Sequence, residues 1–198
     1  MVNVNRVILL LVAALAGIEI VSGIEDCGTI PIAYYTFSYG IFLISALLML
    51  LMGVDIIEHD VAALAVSTLP LGFSTGLVAA FMLEYHLAYS SLVSILYAGL
   101  IIQKFRHKDK SALVLHVLLH GLTGLVLFIL PLVLIMQETV EMSYLGVSIG
   151  TGLVAIGGMA LAFLKSGKPI LTKDQIYTIF PGVLLLAVFA FSVGIGSR

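Results

Sequence analysis

An all-α, polytopic membrane protein is the fold this sequence predicts: a seven-transmembrane-helix bundle with short loops, forming one domain over residues 1–198. Three observations lead there. First, 61% of the residues are hydrophobic and only 10% are charged, with a mean hydropathy of +1.21. A soluble domain is nearer half apolar and a quarter charged, so one soluble core cannot hide this much apolar surface and lipid must be the solvent. Second, the apolar runs are continuous and long, whereas a membrane barrel would alternate polarity over roughly ten-residue segments. Spanning segments must satisfy their own backbone groups, so continuous runs mean helices. Third, the stretches between the runs are short and leave no soluble domain to house an independent catalytic site.

The first helix is expected over 7–21, after the single basic residue Arg6. Glu19 inside it, with so little positive charge before it, favours a retained helix over a signal peptide cleaved near Val21-Ser22-Gly23. A loop with Glu25, Asp26 and the lone Cys27 follows, and one cysteine allows no internal disulfide. Helix two is expected over 31–52, with Pro31 in its first turn and a hydroxyl-rich first half (Tyr34, Tyr35, Thr36, Ser38, Tyr39). An acidic connection with Asp55, Glu58, His59 and Asp60 leads into helix three, 61–83, which Pro70 should kink.

Glu84, Tyr85 and His86 read as a tight connection to a short fourth helix, 87–103. Ser90, Ser94 and Tyr97 recur there at helical spacing and offer hydroxyls to a neighbour. The basic run 104–110 precedes helix five, 111–136, which carries His116, His120 and Pro131. An acidic turn leads to the glycine-rich helix six, 142–164, where Gly146 and Gly150 form a small-xxx-small pair suited to close helix contact. The basic connection 165–174 leads to helix seven, 175–194, with Pro181.

Lys and Arg collect in cytoplasmic loops. The two basic connections lie on the same side, which puts the N-terminus inside and the C-terminus outside, in what is expected to be the plasma membrane. Glu19, Glu25, Asp26, Glu84, Glu138 and Glu141 then fall on the outer side. A mouth lined by one sign of charge concentrates ions of the other sign. The formal net charge of −2 speaks against nucleic acid as a partner. The lipid bilayer is the certain partner, and the chain leaves room for a second copy or a membrane complex.

His116 and His120 share one helix face, and His120 should sit roughly 12 Å below the cytoplasmic end of its helix. Ionisable groups at such depth are functional candidates by default. Their spacing is that of two metal-binding histidines on a helix, with Val117, Leu118 and Leu119 in place of the usual glutamate between them. Asp55, Glu58, His59 and Asp60 are the donors on the same side, and His59 and Asp60 with the histidine pair would make a site for zinc, iron or another transition metal. Haem fits poorly, because two histidines on one helix cannot clasp it from opposite sides. Gly72-Phe73-Ser74-Thr75-Gly76 has the spacing of a nucleophile elbow but not its strand–turn–helix setting.

A faint internal repeat links helices one to three with five to seven across helix four. Gly53 and Gly167 each end a long apolar helix, Asp60 and Asp174 open the next, and each of those carries a proline. Repeats with interrupted helices are a transporter signature. The leading expectation is therefore a small carrier or channel-like transporter of a cation or small solute, with Glu19, Asp60, Asp174 and Glu84 as binding or gating acids. The alternatives are a membrane metalloenzyme or redox subunit built on the His/Asp cluster, and a non-catalytic subunit of a membrane complex.

Overall fold

The computed structural model describes residues 4–23, 28–106, 109–165, 167 and 169–196. Over these the chain is helical: α1 (Val4–Ser22), α2 (Thr29–Met52), α3 (Asp60–Phe81), α4 (Leu83–Phe105), α5 (Asp109–Met136), α6 (Leu145–Lys165) and α7 (Lys173–Gly196), with short 3₁₀ turns at Val54–Glu58 and Met142–Tyr144. All seven α-helices are long and apolar enough to cross a membrane. The protein is a multi-pass integral membrane protein.

The largest boundary correction falls on α4. Glu84, Tyr85 and His86 do not form a connection but wind into the first turn of α4, and Met82 alone separates α3 from α4. Its φ of −135° and ψ of 52° make the turn in one residue. The fourth span is thus 23 residues long, comparable with its neighbours. α5 also begins earlier than expected, which sets His120 eleven residues from its start, about 16 Å along the axis.

Successive helices pack side by side, so they alternate in direction. Among the described residues every Lys and Arg (Arg6, Lys104, Arg106, Lys110, Lys165, Lys173) then lies at one end of the bundle, the basic face. Glu19, Glu84, Glu138 and Glu141 lie at the opposite, acidic face.

Six helices form a closed ring in the order α1, α2, α3, α5, α6, α7, because α1 packs on α7 and α3 packs on α5. α4 stands outside, against α3 and α5. The ring's most extensive pairings, α6 with α7, α2 with α3 and α1 with α2, all lie within the two triplets α1–α3 and α5–α7. Glycines set two of them. A Cβ on Gly72 would strike the Ser38 hydroxyl, and one on Gly76 would come within 2.6 Å of the Tyr35 ring, so α3 lies tightly on α2. The Gly72–Gly76 stretch is therefore a small-xxx-small helix contact in mid-helix, with no elbow. On the other side, a Cβ on Gly146 would strike the Ala190 carbonyl oxygen, and one on Gly194 would lie 2.6 Å from the Val147 nitrogen.

Aromatic rings fill the ring's centre. Phe73 of α3 and Phe191 of α7 stack with centroids 4.6 Å apart and planes 3° from parallel. Phe42 of α2 packs 6.1 Å from both, and Tyr39 meets Phe73 edge-on at 5.1 Å. Tyr35, Tyr39, Phe42, Phe73 and Phe191 are at most 1% exposed.

α4 is held by hydroxyls, as the sequence anticipates: Tyr97 is one of the three expected, and Tyr89 joins it. Tyr97 donates to the Leu64 carbonyl at 3.1 Å and Tyr89 to the Ser74 hydroxyl at 2.8 Å, both on α3. Ser90 turns back on its own helix, to Leu87. Interhelical hydrogen bonds in membranes average about 0.6 kcal/mol and reach about 1.7. Tyr89→Phe and Tyr97→Phe should each weaken the fold by about that much, and their effects should add. Steric-trapping unfolding of the single and double variants in bilayer discs measures this.

Candidate functional site

The residues singled out from the sequence divide between the two faces and the interior. At the basic face, Glu58 at the end of the 3₁₀ turn before α3 meets α7. Its carboxylate accepts a hydrogen bond from the Tyr177 hydroxyl, and the Lys173 ammonium lies 3.1 Å away. Asn5 of α1 donates to the Tyr177 carbonyl at 3.4 Å, so the same contact reaches the first helix. Both members of the ion pair are well exposed, at 52% and 36%, and such pairs add little stability. Their geometry matters more, since they tie the entrance of α3 to the entrance of α7.

Asp174 is exposed in the first turn of α7, and Glu84 is exposed in the first turn of α4. Asp60 opens α3, and its side chain lies outside what the structure describes. His59 is an exposed residue just before it. Glu25, Asp26, Cys27, His107 and Arg198 also lie outside the described residues.

In the interior, His116 and His120 stack one above the other on α5, with ring centroids 4.1 Å apart and planes 20° from parallel. The spacing of four delivers the shared face that the sequence implies. The His120 Nδ1 is buried without a hydrogen-bond partner. Thr123, one turn on, bonds the Leu119 carbonyl at 2.8 Å, so its hydroxyl serves the helix backbone. Among the described residues, no three His, Cys, Asp or Glu side chains converge in a way that could hold a metal ion. The structure does not bring His59 to the pair in such a group.

Glu19 is the acid that the fold draws inward. It lies half-buried in the last turn of α1, facing α7, where a Cβ on Gly196 would stand 3.8 Å from its Oε2. Ser192 of α7 and Tyr39 of α2 are its polar neighbours, and Tyr144 adjoins Tyr39. The Tyr39 side chain is fully buried, and its hydroxyl and that of Ser192 are buried close together without a well-formed hydrogen bond. A buried hydroxyl without a good hydrogen bond is unfavourable, so this group of oxygens is an incompletely satisfied polar site inside the bundle. It sits directly above the stacked rings, since Ser192 follows Phe191 in sequence and Tyr39 leans on Phe73.

Sequence reasoning flagged Glu19 but not its companions. Tyr39 was visible only as one hydroxyl in a hydroxyl-rich half-helix, and Ser192 carried no signal. What joins them is the closure of α7 onto α1, which no local pattern encodes. A concavity of about 560 Å³ opens on the same acidic face, lined by Phe81, Ile135, Glu138, Thr139, Val140, Glu141 and Met142, and Phe81 meets Tyr144 edge-on at 5.6 Å. Comparison with protein-family models, curated proteins and solved structures finds no match for the chain.

Proposed function

We propose that the protein is a small carrier for a cation or small solute in the plasma membrane, with its basic face to the cytoplasm. It works by rocking helices α1–α3 against α5–α7. The observation that carries this reading is the six-helix ring with α4 outside it. An exchange of α1 with α5, α2 with α6 and α3 with α7 maps every contact of the ring onto another: α1·α2 onto α5·α6, α2·α3 onto α6·α7, and α3·α5 onto α7·α1. That is the pattern of two parallel repeats about an axis along the membrane normal, joined by one extra helix.

Local features point the same way. Seven residues join α2 to α3 (53–59) and seven join α6 to α7 (166–172). Each connection contains a glycine at positive φ, Gly53 at 102° and Gly167 at 74°. Prolines interrupt α3, α5 and α7 at Pro70, Pro131 and Pro181, and each removes one helix hydrogen bond and so eases bending there. In this reading the Phe73–Phe191 stack closes the path between the triplets. Glu58 and Lys173 latch their basic ends, Asp60 and Asp174 flank that inner mouth, and the stacked histidines bind cargo or relay a proton along α5.

The reading is tested by uptake into vesicles reconstituted with the purified chain. His120→Asn keeps a polar side chain of similar girth and removes the titratable ring. The variant should fold, elute as the parent does, and lose uptake. Uptake equal to the parent would remove His120 from the mechanism, and no cargo uptake by the folded parent would remove the carrier reading.

A further inference from the structure

We propose that Glu19, Tyr39 and Ser192 form a binding site for one alkali-metal cation. This deepens and rests on the carrier reading, since it makes that cation the cargo. The site is built from three helices that the ring closure brings together, α1, α2 and α7. Its donors are a carboxylate and two hydroxyl oxygens, a hard oxygen set that suits hard cations and offers nothing to soft metals.

Charge balance selects a single positive charge. Glu19 supplies one negative charge, and the hydroxyls of Tyr39 and Ser192 supply none. Among the described residues no Lys or Arg lies on this face to neutralise the carboxylate. A monovalent ion leaves the site neutral, whereas a divalent ion would leave an uncompensated charge at membrane depth, which is costly.

The buried hydroxyls carry the second half of the case. Tyr39 is fully enclosed, and its hydroxyl and that of Ser192 lie buried beside each other and beside Glu19 without a well-formed hydrogen bond. An ion held between them and the carboxylate gives both oxygens a ligand. The floor of the site is the aromatic stack of Phe73 and Phe191. Access is therefore from the acidic face, where Glu19 remains half-exposed and Glu84, Glu138 and Glu141 raise the local cation concentration.

The test is thermal unfolding of the full purified chain in bilayer discs. Sodium, potassium and choline chlorides are compared at equal ionic strength. Sodium or potassium should raise the midpoint saturably, roughly 5 °C at a hundredfold excess over the dissociation constant, and choline should not. Glu19→Gln and Tyr39→Phe should abolish the difference while keeping the parent's midpoint in choline. If either variant has a lower choline midpoint, Ser192→Ala takes its place. The same midpoint in all three salts, or a full alkali response in these variants, overturns the site. Alkali-selective stabilisation without sodium or potassium uptake would support the site and refute the carrier; uptake without such stabilisation would do the reverse.

Discussion

Gly194→Val should leave little folded protein. A Cβ at this position would lie 2.6 Å from the Val147 nitrogen, 2.8 Å from Val147 Cγ2 and 3.2 Å from the Gly146 carbonyl carbon. The nearest obstacle is backbone, so no rotamer change relieves it and α6 must move away from α7. That pairing is the most extensive in the bundle, and its contact is stabilised by close packing rather than by expulsion of water. Overpacking commonly costs about 1–3 kcal/mol and more where backbone must shift; here about 3 kcal/mol or more is expected, a large share of an ordinary domain's stability. Gly158→Ala on the facing helix α6 is the control, because a Cβ there meets nothing within 4 Å. It should be neutral or slightly stabilising, since alanine is the better helix former. Unfolding titrations of both variants in mixed micelles separate a packing role at the α6–α7 contact from a general intolerance of glycine substitution in these two helices.

Phe73→Ala should be the most damaging truncation. The ring touches Tyr35, Tyr39, Phe42 and Phe191, with centroids between 4.6 and 6.3 Å. Its removal leaves a void at the centre of the six-helix ring that four aromatic neighbours cannot fill without leaving their own contacts. Core Phe→Ala changes cost about 3–5 kcal/mol, and lost dispersion contacts account for most of it in a lipid-embedded bundle. Phe191→Ala removes the other half of the stack, so the double variant should cost less than the sum of the two. Phe73→Leu should lose much less. An additive double variant in the same unfolding titration would show that the two rings do not support each other.

Much of the fold could be read from the residues because lipid imposes it. Continuous apolar runs, interrupted by charge, mark helices with little ambiguity, and the seven spans lie close to where the runs place them. The fourth helix starts at Leu83, earlier than its sequence suggests, because Glu84, Tyr85 and His86 look like a polar turn. They are exposed or half-exposed residues of a helical first turn, and a single residue makes the reversal. Gly146 and Gly150 could be read as a contact pair because small residues four apart have one main use on a membrane helix. Gly72 and Gly76 have the same spacing, but Ser74 between them also gives the stretch the spacing of a nucleophile elbow.

The candidate sites were harder to read for a related reason. His116 and His120 lie on one helix, so their stacking follows from spacing alone. The companions of Glu19 come from α2 and α7, and the ring order that unites them depends on how α1 and α7 pack. Helix periodicity says which face is apolar, and here nearly every face is. Glu58 was read only as an acid near a metal site. Its tie to Lys173 and Tyr177 again joins segments far apart in the chain.

A rocking carrier requires the two helix triplets to move against each other around the closed aromatic centre. Spin-label distances across the ring test it most directly. One pair, at Ile30 of α2 and Met142 before α6, reports the acidic face; the other, at Leu51 of α2 and Phe163 of α6, reports the basic face. In bilayer discs, changing choline for sodium should shift the two distance distributions in opposite directions, one face closing as the other opens. Distributions that are the same in both salts at both faces, or that shift together, would contradict the rocking carrier.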